Sequence, residues 1–112
     1  MESYPLIDKE LTMNYENETR SFLNRLTSAG FNLVEVFYDD FDDDRIEVST
    51  IEEATEELVA TDESFLIARS PEGKRVTLFF VYGNNPGELV ADYSDHPLLT
   101  TIVDQHYAHF NQ

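Results

Sequence analysis

A run of acidic residues at 39–44 is the part of the chain whose side chains could most readily bind a metal ion. Its five aspartates, interrupted only by Phe41, offer carboxylate oxygens, which are the ligands that Ca²⁺ prefers. If Asp40 is position 1 of an EF-hand loop, Arg45 replaces the glycine needed at position 6, and Ile51 replaces the glutamate needed at position 12. The EF-hand pattern therefore fails twice. A solvated loop without a ligand and weak, nonspecific binding of divalent cations both stay open.

The three histidines are a second candidate ligand set. His106 and His109 are three residues apart, a spacing that can bring two imidazoles to one metal on a helix. The sequence offers no evident third ligand beside them. We therefore predict that both are unliganded residues at a helix end, that His96 lies on the surface, and that the protein holds no metal and no other cofactor.

Signatures of catalysis are absent from the sequence. It contains no cysteine that could act as a nucleophile, and no G-x-S-x-G, P-loop or G-x-G-x-x-G motif. Its carboxylates are too numerous for their pairing to identify a general acid and a general base. We therefore predict that the protein is not an enzyme and that it has no catalytic residues.

Negative charge is concentrated in one part of the chain. Residues 35–63 hold thirteen of the twenty-three carboxylates and a single base, Arg45. This segment therefore carries −12 of the formal net charge of −16. Like charges held together on a folded surface repel and reduce stability, so we infer that this segment is kept acidic for a partner. Such charge favours a basic protein and disfavours direct contact with nucleic acid or membranes. Adaptation to high salt is an alternative, but it predicts acid spread over the whole surface.

Length and composition predict one small acidic α+β domain over residues 1–112, in which 1–13 are irregular. Apolar residues make up 41% of the chain and aromatic residues 12%, which favours a packed core over a disordered tail. We see no apolar run long enough to span a membrane and no signal-peptide pattern at the N-terminus. Together with the lack of cysteine, these features predict a cytoplasmic location.

The apolar periodicity predicts three helices and about five strands in the order α-β-β-α-β-β-β-α. This order indicates an α+β fold with a largely antiparallel sheet. Helices are predicted at about 17–29, at about 50–60, and from a cap at Ser94 or Asp95 to about Phe110. Strands are predicted at 32–40, 45–49, 64–70, 75–82 and 88–93.

Three local signals fix the ends of these elements. Gly30 is placed to end the first helix in a left-handed cap. Thr50 followed three residues later by Glu53 is a capping box at the start of the second helix. The sequence Ser-Pro-Glu-Gly at 70–73 suits a tight turn between two strands, with proline at its second position.

Most of the aromatic residues are predicted to build the core. A platform for stacking nucleic-acid bases would need neighbouring lysine and arginine, of which this chain has few. Phe41 differs because aspartates surround it, and it is predicted either to anchor an interface or to fold back over the hairpin end. The predicted core aromatics are Phe37, Tyr38, Phe65, Phe79, Phe80, Tyr93, Tyr107 and Phe110.

An acidic hairpin tip and the acidic helix that follows it are the surface on which we expect a partner to bind. Glu52 and Glu53 have a local role in the first turn of that helix, where the helix dipole favours them. No local explanation is evident in the sequence for Glu56, Glu57 and the pair at 62–63. The predicted partner-binding residues are Asp39, Asp40, Phe41, Asp42, Asp43, Asp44, Glu47, Glu52, Glu53, Glu56, Glu57, Asp62 and Glu63.

These features lead to several hypotheses about function. The first is a binding module, an inhibitor or nucleic-acid mimic, that occupies a basic, nucleic-acid-binding surface of a partner protein. In size, acidity and lack of cysteine the chain resembles anti-restriction and anti-CRISPR proteins of phages and mobile elements, although no motif links it to them. The alternatives are an immunity or antitoxin-like protein that neutralises one toxin, a structural or regulatory domain whose acidity only maintains solubility, and a divalent-cation binder. The oligomeric state is not predicted.

Overall fold

The computed structural model describes the backbone of residues 4–38, 45–83 and 87–110, and the side chains from Tyr15 onward within those ranges. The predicted acidic tip at 39–44 lies outside the described residues. So do the calcium hypothesis that rests on this tip and the two alternatives for Phe41.

Helices and strands follow one another in the predicted order, which confirms the α+β fold. All strand pairs are antiparallel, and the five strands lie side by side in the order β2-β1-β3-β4-β5. Across the described ranges, no helix has the length and apolar character needed to cross a membrane. The helices are α1 (Tyr4–Ser28), α2 (Ile51–Leu58) and α3 (Pro97–Phe110), and the strands are β1 (Asn32–Phe37), β2 (Ile46–Glu47), β3 (Glu63–Arg69), β4 (Arg75–Val81) and β5 (Val90–Tyr93).

The first helix begins earlier than predicted. α1 starts at Tyr4 and not near Asn17, so the prediction that 1–13 are irregular was wrong from Tyr4 onward. Pro5 is compatible with this start, because the N–H that proline lacks would have no acceptor in the first turn of a helix. The leucine, lysine, glutamate and methionine residues that follow all have favourable helix propensity.

Gly30 ends α1 as predicted, with a left-handed φ of 102°. The N–H of Phe31 reaches back to the carbonyl of Leu26 at 3.2 Å and closes the last turn. A Cβ atom at position 30 would lie 3.0 Å from Cγ of Pro71, so the turn between β3 and β4 packs directly against the helix end. Glycine is therefore required here both by the backbone conformation and by the close approach of Pro71.

The main hydrophobic core lies between the helices and one face of the sheet. The ring of Phe22 meets that of Phe80 edge-on, with centroids 5.7 Å apart. β1 contributes both Leu33 and Val36, because a β-bulge between Leu33 and Glu35 shifts the alternation of its side chains. Other buried members of this core are Leu23, Leu26, Ala54, Leu58, Leu66, Leu78, Leu99 and Ile102.

A buried polar contact joins α1 to α3. Nε2 of His106 lies 2.8 Å from Oε2 of Glu18, and the backbone N–H of Gly87 donates to the same oxygen at 3.0 Å. The His106 side chain is only 1% exposed and packs edge-on against Phe22, with ring centroids 5.3 Å apart. His106 is therefore a core residue that connects two helices, which its position near a helix end did not indicate.

His96 caps α3, in place of the predicted Ser94 or Asp95. Its Nδ1 accepts a hydrogen bond from the N–H of Leu98 at 3.2 Å. Because Nδ1 is the acceptor, the ring proton lies on Nε2, which donates to Oε1 of Glu72 at 2.8 Å. This bond lowers the pKa of Glu72. The His96 side chain is only 12% exposed, so the prediction that it lies on the surface was wrong.

Candidate partner-binding surface

The thirteen predicted partner-binding residues fall into three groups. Six of them, 39–44, lie outside the described residues. Three others make hydrogen bonds inside the protein, namely Glu52, Glu53 and Glu57. The side chains of the last four have no hydrogen-bond or ion-pair partner within 15–38, 45–83 and 87–110, and these four are Glu47, Glu56, Asp62 and Glu63.

Glu53 completes the predicted capping box at the start of α2. Its N–H donates to Oγ1 of Thr50 at 3.1 Å. Its carboxylate accepts hydrogen bonds from the N–H groups of Ser49 at 2.9 Å and Thr50 at 3.2 Å. These backbone hydrogen bonds lower the pKa of Glu53. The carboxylate of Glu53 is thus used to start the helix.

Glu52 forms an ion pair with Arg20 of α1. Nε of Arg20 donates to one carboxylate oxygen at 2.6 Å, and Nη2 donates to the other at 3.1 Å. This two-point contact lowers the pKa of Glu52 and raises that of Arg20. The two residues are 32 positions apart in the sequence, so no local pattern indicates the pair. Glu52 therefore has a structural partner as well as a favourable place in the helix dipole.

Glu57 anchors the C-terminal end of α2 to the end of β1. The Tyr38 hydroxyl lies 2.8 Å from Oε1 of Glu57 and 2.9 Å from the backbone carbonyl oxygen of Glu57, and its single proton is shared between these two acceptors. Burial, the hydrogen bond and the charge of the carboxylate together raise the pKa of Tyr38 to about 12. Tyr38 is also the last described residue before 39–44. Glu57 thus has a structural role, because it holds the last described residue before the acidic run at 39–44.

Three exposed carboxylates lie at this same end of the molecule, and we call Glu56, Asp62 and Glu63 the acidic end. Glu56 directly precedes the residue that Tyr38 contacts. Glu63 begins β3, two residues before the strand partner of Phe37, so it lies just beyond the end of β1. The last turn of α2 contains no basic residue, so Glu56 faces the negative end of the helix dipole without compensation. The charge of Glu56 is therefore unfavourably placed, and Asp62 and Glu63 are two further exposed charges without a cationic partner among the described residues.

Glu47 lies apart from the acidic end, on the face of the sheet that the helices do not cover. Its strand partner is Glu35, and like charges directly opposite one another destabilise a sheet. Glu35 is compensated by Arg45 at 2.9 Å and by Arg75 at 3.1 Å. Glu47 is exposed and has no such contact among the described side chains. It adds negative charge at the sheet edge.

An aromatic ladder, Phe37, Phe65 and Phe79, occupies the face of the sheet opposite the helices. These residues are directly opposed on three neighbouring strands, and successive ring centroids are 4.7 and 4.6 Å apart. Phe37 is buried, whereas Phe65 and Phe79 are only half-buried, in contrast to the prediction that they lie in the core. The alternation of β3 explains this, because Leu66 faces the helices and its neighbours face the other side. Tyr107, also predicted in the core, is 48% exposed.

The described residues bring no three His, Asp or Glu side chains together at a point that could hold a metal ion. His106 binds Glu18 in the core, and His109 packs against Phe110 with ring centroids 4.9 Å apart. The two histidines that were considered as a ligand pair, His106 and His109, therefore occupy a buried and an exposed position.

The chain matches no protein family, and no curated protein and no solved structure shows significant similarity to it. No relative therefore supplies a function for this chain.

Proposed function

We propose that the protein is a non-catalytic binding module whose acidic end occupies a basic, nucleic-acid-binding surface of a partner protein. The observation that carries the proposal is that Glu56, Asp62 and Glu63 are exposed, lie at one end, and lack any cationic partner in the described part of the chain. Groups that reduce the stability of a fold without a local benefit are candidates for selection by binding.

The placement of the basic residues supports this proposal. Arg20 binds Glu52, and both Arg45 and Arg75 bind Glu35, so carboxylates elsewhere in the acidic part of the sequence are neutralised. No described arginine or lysine is paired with a side chain of the acidic end. A partner that supplied basic residues there would pair with carboxylates that have no cation within the described part of the protein.

The spacing of charge on nucleic acid supports a mimic. Duplex DNA carries one negative charge per roughly 1.7 Å of helix axis, and a protein that binds it has a basic surface built for closely spaced charges. The acidic end supplies three exposed carboxylates, and the sequence places five more aspartates at 39–44, directly after Tyr38. Charge complementarity of this kind speeds association and makes the complex sensitive to salt.

The proposal is tested by affinity capture. The full chain is immobilised, exposed to a lysate of the organism that carries the gene, and washed with a salt gradient. A variant with the changes Glu56→Gln, Asp62→Asn and Glu63→Gln is compared with a control carrying Glu88→Gln, Asp95→Asn and Asp104→Asn. Both variants lose three exposed carboxylates, at different places.

We expect wild type and control to retain a nucleic-acid-binding protein that salt or duplex DNA releases, and the acidic-end variant to lose it. Retention of the same protein by all three forms contradicts the proposal, as does the absence of any retained basic protein. A single retained toxin that DNA does not displace would favour an immunity protein instead.

A further inference from the structure

The aromatic ladder is covered by a cation at one end and open at the other. At the covered end, the guanidinium carbon of Arg45 lies 4.1 Å from the centroid of the Phe37 ring. At the open end, the Phe65 ring covers one face of Phe79 at 4.6 Å, so the other face is turned toward β5. The strand partner of Phe79 on β5 is Asp92.

A shallow depression of about 250 Å³ lies between β4 and β5 at this open end. It combines an aromatic ring with the exposed carboxylate of Asp92. One oxygen of this carboxylate accepts the N–H of Tyr93 at 2.9 Å, and no described arginine or lysine pairs with the group. The depression is lined by Phe65, Thr77, Phe79, Asp92, Tyr93 and Ser94.

We propose that this depression binds the guanidinium group of an arginine from the partner protein, an inference that rests on the proposed function. The face of an aromatic ring attracts a cation, and a carboxylate beside it supplies both the opposite charge and a hydrogen-bond acceptor. Arginine suits the site better than lysine, because its planar guanidinium can stack on the ring of Phe79 while its N–H groups reach Asp92. The contact of Arg45 with Phe37 is the same arrangement within the protein.

The position of the depression suits a partner bound at the acidic end. Glu63 lies two residues before Phe65 on β3, so their side chains point to the same face of the sheet. Glu63 is also the strand partner of Val81, which lies two residues after Phe79 on β4. Of the acidic end, Glu63 therefore lies on the same face of the sheet as the depression, and a basic partner bound at Glu63 can extend along that face to reach it. An arginine held there would anchor the complex and set its orientation.

The test is an NMR titration of the full chain with N-acetyl-L-arginine methylamide, a probe whose only charge is the guanidinium. The same titration with N-acetyl-L-lysine methylamide tests the preference for a planar cation. We expect saturable shifts of the Phe79 ring and of the backbone at Asp92, and weaker binding of the lysine probe. Binding of both probes only at other residues, or no saturable shift at Phe79, overturns the inference.

Three variants complete the test. Phe79→Leu keeps an apolar side chain but removes the ring face, and Asp92→Asn keeps the shape but removes the charge. Each should weaken binding of the arginine probe about two- to fivefold, as expected for a single exposed cation–π or ionic contact. The control Asp104→Asn removes an exposed charge on α3 and should leave binding unchanged. Equal affinities of wild type and Asp92→Asn overturn the inference even if Phe79→Leu fails to fold.

The outcome also separates this inference from the proposed function. The variant neutralised at Glu56, Asp62 and Glu63 should still bind the arginine probe at Phe79, because its depression is intact. Partner capture that depends on the acidic end but survives Asp92→Asn overturns the arginine site alone. Probe binding at Phe79 in a protein that captures no basic partner overturns the proposed function, and with it the assignment of a partner arginine.

Discussion

The hydroxyl of Tyr38 lies 2.8 Å from Oε1 of Glu57, a residue 19 positions further along the chain. This hydrogen bond holds the end of α2 against the end of β1, beside the acidic end. Two neighbouring glutamates therefore have different roles. The side chain of Glu57 stabilises the fold, whereas that of Glu56 makes no hydrogen bond or ion pair with the described residues. The carboxylates available to a partner are therefore fewer than the acidic composition indicates.

Removing the Glu57 charge should lower the pKa of Tyr38. In Glu57→Gln we expect a value below about 12 but still above 10, because burial is the largest cause of the shift and the amide leaves it in place. A raised pKa stabilises the fold below pH 10, and this contribution is lost as the pH rises toward 12. NMR titration of the Tyr38 ring in both proteins measures the shift. An unchanged pKa would contradict the assigned contact.

Because of the capping box, part of the free energy of unfolding should depend on pH in the acid range. The pKa of Glu53 is lowered by its backbone hydrogen bonds, so its contribution is present above the ordinary value of 4.5 and is lost as the pH falls through its folded value. The loss of unfolding free energy in Glu53→Gln should therefore be larger at neutral pH than at about pH 3. Urea unfolding at both pH values measures it. Glu56→Gln is the control and should show no such loss, whereas equal losses in Glu53→Gln at both pH values would contradict the prediction.

Gly30→Ala should destabilise the protein more than Gly73→Ala does. Both glycines have positive φ, and placing alanine there costs about 1–2 kcal/mol. Only at position 30 would the new Cβ also lie 3.0 Å from Pro71, since nothing lies within 4 Å of a Cβ at position 73. Urea unfolding of the two variants measures the difference. Adding Pro71→Ala to Gly30→Ala should restore the part of the unfolding free energy that the close contact with Pro71 removes. A smaller loss of unfolding free energy in Gly30→Ala than in Gly73→Ala would show that this contact is unimportant.

Glu18→Ala should reduce the free energy of unfolding by about 1–3 kcal/mol, because it leaves His106 and the N–H of Gly87 without their acceptor. A double-mutant cycle with His106→Ala should give a favourable coupling energy between the two side chains. His109→Ala is the matched control, since that histidine is exposed, and should change stability little. Additive effects of Glu18→Ala and His106→Ala would show that the contact is not stabilising.

Much of the fold could be predicted because its signals are local. The left-handed cap at Gly30, the capping box of Thr50 with Glu53, and the turn at 70–73 each depend on residues within a few positions, and all three are present. The start of α1 was missed because its first half has good helix propensity without a clear apolar period.

The roles of individual site residues could not be predicted, because their partners are distant in the sequence. Arg20 reaches Glu52 across 32 residues, and His106 reaches Glu18 across 88. Such pairs depend on how the helices pack, and no periodicity within one helix encodes them. The aromatic ladder was missed for a related reason. Strand alternation shows that the side chain of Phe79 points to the opposite face of the sheet from those of its neighbours, but it does not show which face the helices cover.

The most direct test of the acidic end is the affinity of the captured partner, once purified, for the two triple variants. We predict that neutralising Glu56, Asp62 and Glu63 raises the Kd about tenfold and makes it less dependent on salt, since three exposed ionic contacts are lost. The control with three neutral substitutions at Glu88, Asp95 and Asp104 should bind like wild type. An equal Kd and an equal salt dependence for the two variants would contradict the claim that the acidic end is the binding surface.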